Sequence, residues 1–432
     1  MTLLVISPDY ASHLFPLATL ATAWRDAGER VVVATGPATA AIARGFGFEV
    51  EILPLGRGSN PGVIRAEEQP PGEDDALRGF FAATRRGPAE TLAFQARARR
   101  DDLLWDPLGT ARRVQDVVDR VRPDQVVVDH LAFAARLALT GSGIRHADVV
   151  LGHPSALTVD GEVYGHPPAW PGRLRPSPAE LEALHRLCSS VRDEFTEQWN
   201  EALQQIAPGT PASADAFAET GDDLLLNYPG ELHDEHRTRA LPEHTFLGSA
   251  VREEAEDPEV AAWLAGSDRP IVYISLGSFL SVRGDVLARV AEALRGLDVR
   301  VALAAGATRP AELGPVPESW LVRGTLPQVT LLRRASVAVS HGGNNSVTEA
   351  LTAGVPLLLL PMSTDQFAGA AALEAAGLGT VLDPNALSTA EVRDAVAELL
   401  DDGHERRGAL EDLRHDLTRR PGPGRAFAAL VG

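Results

Sequence analysis

The chain has 432 residues, a formal net charge of -19 and no lysine, all 40 of its basic residues being arginine. Its length calls for two domains; its negative charge argues against nucleic acid or an anionic membrane surface as partner; and the missing lysine removes a pyridoxal-phosphate Schiff base or a P-loop. With one cysteine, Cys188, no basic segment before the first strand and no apolar run of ~18 residues, neither a disulfide framework nor a membrane span is expected, and a cytoplasmic protein is.

In chain order, "LLVIS" reads as a buried strand and leads into a helix from about His13 to the stop at Ala27-Gly28. "RVVVAT" and "FEVEILPL" read as the next two strands. Further on, "QVVVDH" and "ADVVLG" bracket a helix at Leu131–Thr140. Apolar strands alternating with helices predict a parallel sheet covered on both faces. Two long Gly/Pro-rich stretches, "GRGSNPGVIRAEEQPPGEDD" and "DGEVYGHPPAWPGRLRPSP", interrupt the pattern, and loops of that length in compact domains usually carry function. The second leads into a helix with Ser177 as cap, Pro178 at its first position and Glu180 closing a capping box. Its stripe of Leu184, Cys188, Val191, Phe195, Trp199, Leu203 and Ile206 has helical spacing and reads as core.

The acidic stretches "LHDEHRTRALPEH" and "VREEAEDPE" read as a linker, which puts a boundary near residue 230. The pattern then restarts: "PIVYISLGS", a helix at Asp285–Leu294, "VRVALAAG", "SWLVRG", "ASVAVSH", a helix, "VPLLLLP" and a further helix. The fold class is therefore α/β, with two doubly wound, Rossmann-like parallel sheets facing across a cleft. Ligands in such sheets bind at the carboxyl ends of the strands.

One connection is richer than a turn requires. In "ASVAVSHGGNNSVTEALTAG", His341 ends a buried strand, Gly342 and Gly343 let backbone amides approach a ligand, and a helix starts near Asn345. The start of that helix is an anion site, suited to a phosphate. Local structure offers a plainer account, because Ser346 with Glu349, and Ser363 with Gln366, are both spaced as capping boxes. That account leaves His341 and the paired glycines unexplained.

The stretch "LPQVTLLRRASVAVSHGGNNSVTEALTAGVPLLLLPMSTDQ" resembles the nucleotide-sugar signature of the UDP-glycosyltransferase superfamily, inverting enzymes of the GT-B fold, and its tone is that of actinobacterial enzymes that decorate antibiotics. The resemblance covers about forty contiguous residues, and the remaining elements fall in a compatible order. It implies an acceptor-binding domain at 1–230, a nucleotide-sugar domain at 231–410, and a C-terminal helix at 411–432 that packs back on the first. It also implies that Gln328 contacts the base or ribose, that His341, Asn345 and Ser346 hold the diphosphate with the amides of Gly342 and Gly343, and that Ser278 approaches the phosphates. Glu349 would bind ribose hydroxyls, and Asp365 and Gln366 the donor sugar. Two positions depart from the pattern: Thr325 and Asn344 stand where relatives carry Trp, so base stacking falls to Leu326-Pro327 or elsewhere and the base is left open between dTDP and UDP.

In the first half, His13 stands at the entry of the first helix, where a partly exposed histidine has no need of a function. The family's H-x-x-P spacing is kept by His13-Leu14-Phe15-Pro16 and implies a general base, with Asp129 as its orienter. An imidazole of pKa ~6.5 suits that task, whereas Asp129 is equally acceptable as a helix cap. His130 is adjacent to Asp129; His153 and His166 belong at most to the acceptor pocket. The resemblance thus implies metal-independent transfer of a hexosyl or deoxyhexosyl group to a hydroxyl of a small, largely apolar natural product, with no cofactor and no metal site. No Asp-x-Asp stands at a strand end. A homodimer is compatible with this reading. A non-catalytic activator of another glycosyltransferase, a carbon-linking transferase and a sugar-nucleotide epimerase are the alternatives; the two long loops weigh against the last.

Overall fold

The computed structural model describes residues 1–401 and 403–432, with the side chains of 100–102 left aside. Thirteen strands form two sheets, parallel throughout. The first has the order β3-β2-β1-β4-β5-β6-β7, with β1 at Thr2–Ile6, β2 at Arg30–Thr35, β3 at Glu49–Ile52, β4 at Gln125–Asp129, β5 at Ala147–Val150, β6 at Asp223–Leu226 and β7 at Thr245–Phe246. The second has the order β10-β9-β8-β11-β12-β13: β8 at Ile271–Ser275, β9 at Arg300–Ala304, β10 at Leu321–Arg323, β11 at Val337–Ser340, β12 at Leu357–Leu359 and β13 at Gly379–Val381.

Both sheets are buried on two faces, and that is why their strands read as unbroken apolar runs. In β1, Leu3 and Val5 pack with Leu14, Leu17 and Trp24, while Leu4 and Ile6 turn to Val114 and Val117 on the other side. In the second sheet Tyr273, Ala338 and Leu357 face one cluster, and Val272, Val339 and Leu358 the other. Each sheet reverses its strand order once, between β1 and β4 and between β8 and β11. Chains leaving neighbouring strands there diverge to opposite faces, which opens a crevice at the carboxyl ends.

Two expectations need correction, and a third region adds helices that no expectation covered. The first sheet runs past residue 230, because β7 pairs with β6 through Thr245 and Phe246. The polar stretch before it is tied to the first half: Asp234 caps the helix Glu235–Ala240, and the Arg237 guanidinium is bound by Glu162 and the Leu157 carbonyl. The link between sheets is thus the shorter run after Phe246. At the C-terminus, residues 411–419 belong to the helix His404–Arg419, whose Leu410, Leu413 and Leu417 cluster with Val347 and Leu351 of the second half. Only the helix Gly422–Val431 crosses back, with Phe427 edge-on to Trp24 at 5.1 Å and the Leu430 carbonyl accepting from Gln125 Nε2. The third region, between β3 and β4, holds three helices that strand patterning passes over: Glu73–Thr84, Pro88–Asp102 and Pro107–Val121. Among the described residues no helix is long and apolar enough to cross a membrane.

Candidate active site

The two crevices face each other and merge into a cleft of about 740 Å³. His13 enters it from the first turn of the helix Ala11–Asp26, which follows β1, and Asp129 from the end of β4, the adjacent strand. His13 Nδ1 lies 2.7 Å from Asp129 Oδ2, and the other oxygen of Asp129 accepts the Leu131 amide at 2.8 Å. The carboxylate therefore makes a local turn and holds the imidazole at once. Asp129 is 1% exposed and His13 26%. Burial draws the His13 pKa down, but the charge and hydrogen bond of Asp129, aided by the charge of Asp365, outweigh it and leave it above the usual 6.5.

Its neighbour His130 points elsewhere. It meets Asp148 at 3.1 Å in a buried cluster with Arg136, and burial, reinforced by Arg136, lowers its pKa. His166 lines the cleft with its ring 5.4 Å from His185. His153 does not line it: the ring is edge-on to Tyr228 at 4.7 Å, Nδ1 accepts from the Ser155 amide, and burial brings its pKa down to about 3. The assignment of His153 to an acceptor pocket is corrected accordingly.

On the opposite wall, His341 follows β11 and fits between Gly277 and Gly343. A Cβ on Gly277 would come within 2.6 Å of the imidazole, and one on Gly343 would overlap it. The glycines are there to make room for this ring. Gly277 and Gly342 also adopt positive φ, +70 and +83. Burial holds His341 down at about 4, so it is neutral near pH 7. The helix Asn344–Ala353 begins beside it with Gly343 as cap residue and no side-chain cap, so its first amides face the cleft region.

The capping-box reading of Ser346 and Glu349 fails here, because Ser346 already lies inside the helix. Its Oγ accepts from Gln328 Nε2 at 3.3 Å. Glu349, 4% exposed, accepts from Gln328 Nε2 at 2.5 Å and from Arg252 Nη1 at 2.8 Å, and Tyr273 donates to Gln328 Oε1 at 3.1 Å. Burial raises the Glu349 pKa despite these donors. Arg252, whose guanidinium sits 5.1 Å above the Phe15 ring, also lines the cleft, and it stands in the acidic run that reads as linker. For Ser363 and Gln366 half of a box forms: Gln366 Oε1 accepts the Met362 and Ser363 amides, and Nε2 donates to Ser363 Oγ. Ser278 lies in the short helix Gly277–Leu280, and its carbonyl accepts from the Ile64 amide of the first half.

Several of these residues also join the two halves. Asn344 Nδ2 donates to the Leu151 and Asn227 carbonyls at 2.7 and 2.8 Å, Asn345 Nδ2 to the Ser12 carbonyl at 2.8 Å, and Asp365 Oδ2 accepts the His153 amide at 2.6 Å. The rest of the first-half wall mixes the apolar Ile64, Leu77, Phe80, Leu92 and Phe94 with the polar Gln69, Glu73 and Gln95.

Residues 191–422, more than half of the chain, match the model of the family described as UDP-glucoronosyl and UDP-glucosyl transferase. Among curated relatives, an NDP-glycosyltransferase of Bacillus licheniformis is 29% identical over 60% of this chain and 68% of its own. The demethyllactenocin mycarosyltransferase of Streptomyces fradiae is 27% identical over 72% of this chain and 64% of its own. Among solved structures, spinosyn forosaminyltransferase superposes with a TM-score of 0.68 at 22% identity, covering 100% of this chain and 98% of that one. Spinosyn rhamnosyltransferase complexed with thymidine diphosphate gives 0.66 at 20% identity, covering 100% of both. The architecture is thus the GT-B fold of glycosyltransferases, and the chain belongs to the UDP-glucoronosyl and UDP-glucosyl transferase family.

Proposed function

We propose that this glycosyltransferase moves a sugar from a dTDP- or UDP-sugar to a hydroxyl of a small, largely apolar natural product, with inversion, without a metal and in the cytoplasm. The observation that carries the reading is the His13–Asp129 pair on one wall of the cleft, opposite the start of the helix Asn344–Ala353 on the other. The Streptomyces relative, named for mycarosyl transfer, and the neighbour solved with thymidine diphosphate favour a deoxysugar on dTDP.

His13 accepts the acceptor's hydroxyl proton on Nε2 while Asp129 holds Nδ1–H and stabilises the imidazolium. The freed oxygen forms a bond to the anomeric carbon as the bond from that carbon to the diphosphate breaks, and one in-line displacement inverts the centre. The departing diphosphate gains charge, which the Gly343 and first helical amides, Asn345, Ser346 and His341 receive; the Gly342 amide, expected among them, already donates to Ser340 Oγ at 3.1 Å. Ser278 closes on the phosphates from the second loop. Glu349 takes ribose hydroxyls: a carboxylate has about four acceptor sites, and Arg252 and Gln328 use two. Gln328 positions that carboxylate beside the base. Asp365 reads the donor sugar, and Gln366 acts through the turn that presents it.

Thermal melting in EDTA with dTDP, UDP, GDP and ADP tests the donor side. A ligand at 100 times its Kd adds about 2.7 kcal/mol of stability, so a pyrimidine nucleotide should raise the Tm by several degrees and the purines should not. No shift with any of the four would overturn the reading in favour of a non-catalytic partner. The anomeric configuration of the product decides inversion.

A further inference from the structure

Among the described residues the first-half lobe of the cleft, apolar in large part, contains one guanidinium that the transfer mechanism does not use. Arg99, on the helix Pro88–Asp102, lines this lobe, and among the described residues it has no carboxylate partner. Other arginines are held by partners of their own: the partly exposed Arg252 by Glu349, the buried Arg136 by Asp148 and Arg237 by Glu162, and the buried Arg300 by backbone carbonyls. The Arg99 guanidinium lies 4.7 Å above the Tyr164 ring, a contact that fixes its plane. Beside it Gly165 has φ +88, and a Cβ there would stand 2.5 Å from Arg99 Nη1. The chain therefore omits a side chain where this cation sits. Arg99 and Tyr164 line the same cleft as His13 and Asp129.

Arg99 is partly exposed and lines the cleft, where a bound anion would meet its guanidinium donors. The planar fork of a guanidinium fits a carboxylate through two parallel hydrogen bonds. On a chain of net charge -19 an anionic acceptor also needs a local positive charge to enter. We propose that Arg99 is a specificity-determining residue that binds a carboxylate on the apolar acceptor and so directs the acceptor's hydroxyl toward His13. This rests on the proposed transfer reaction for its meaning, but its test does not require turnover.

The probes are a fluorescent hydroxynaphthoic acid and its methyl ester, titrated against the full chain without donor, for wild type, Arg99→Gln and Arg99→Lys. Wild type should bind the acid about tenfold or more tightly than the ester, the scale of a hydrogen bond to a charged group. Arg99→Gln should bring that ratio to about one with ester affinity unchanged, and Arg99→Lys should recover part of it. Melting with dTDP on each variant checks that the fold persists. An acid that binds wild type no better than the ester overturns the proposal, as does an equal loss of both probes in a folded Arg99→Gln. A variant that keeps the acid preference but loses UDP-glucuronate relative to UDP-glucose moves Arg99 to the donor sugar and overturns the acceptor assignment. Failure of every nucleotide to bind, with the acid preference intact, would sink the transfer reading and leave the Arg99 site standing.

Discussion

Replacing Asp129 by Asn probes the base directly, because it removes one charge and little volume. In the folded protein two opposed influences act on His13: burial, which disfavours the imidazolium, and Asp129, whose charge and hydrogen bond favour it. The net result is a pKa above 6.5. A paired carboxylate shifts its partner by about 1–3 units, so in the Asp129→Asn variant burial prevails and the pKa falls below 6.5. At about 1.4 kcal/mol per unit, the imidazolium loses roughly 1.4–4 kcal/mol of stabilisation. The transition state, which carries that imidazolium, loses a similar amount, equivalent to about 10–10³ in rate.

The sign of the pH effect follows from the chemistry. His13 must be neutral to accept a proton, so kcat/KM should rise with pH through the His13 pKa, with its acid limb above 6.5 in wild type. In Asp129→Asn the limb should move below 6.5 while the plateau drops by about 10–10³. The measurement is kcat/KM for the acceptor from pH 5 to 9 at saturating donor. A limb that stays in place, or a plateau within threefold of wild type, would refute the claim that Asp129 tunes a His13 base.

Two further predictions concern stability. Asn344→Ala removes both amide bonds to the Leu151 and Asn227 carbonyls; at about 1–3 kcal/mol for each buried carbonyl left unpaired, the Tm should fall by several degrees and small-angle scattering should show a more open molecule, and an unchanged Tm would show that water replaces the amide at no cost. Acid should destabilise the fold through His153, His233 and His341, whose folded pKa values are lowered to about 3, 4 and 4. Between 6.5 and about 4 the unfolded chain takes up protons that the folded one does not, so stability falls with falling pH by about 1.4 kcal/mol per unit for each buried histidine, and by less for His341, which keeps some solvent contact. His13 acts in the opposite sense, its contribution being full below 6.5 and lost above its raised pKa. Denaturant melts from pH 7.5 to 4.5 check the slope, and His153→Gln should flatten it.

What could be read from the sequence was what short-range pattern encodes. Strands buried on both faces left apolar runs, and the reversal of strand order then placed His13, Asp129 and His341 at carboxyl ends without any tertiary information. The resemblance named their partners. Arg252 was not legible, because its meaning lies in a contact with Glu349 ninety-seven positions away and its local setting is a run of acids. The acceptor wall was not legible either: the helix Pro88–Asp102 buries Leu92 and Ala96 within a polar sequence that shows little stripe, and its role depends on what the cleft holds. The capping boxes misled for a related reason. S-x-x-E fixes a spacing, but Gly343 takes the cap position, and Ser346 and Glu349 are thereby released to face Gln328 and Arg252.

The joining bonds add a constraint that neither half carries alone. The proposed base belongs to the first sheet and the proposed leaving-group site to the second, so the proposed in-line displacement depends on the distance between two bodies that could in principle rock apart. Asn344 and Asn345, at the start of the helix proposed to face the diphosphate, donate to the carbonyls of Leu151, Asn227 and Ser12, the last of these being the residue before His13. Asp365, the residue proposed to read the sugar, accepts the backbone amide of His153. In each bond one partner is main chain at the end of a first-sheet strand or the first turn of its helix, which cannot rotate away as a side chain can. In the proposed reaction the separation of base and leaving group is therefore set by the same few residues assigned to the donor, and a change that loosens the seam should cost rate before it costs nucleotide affinity.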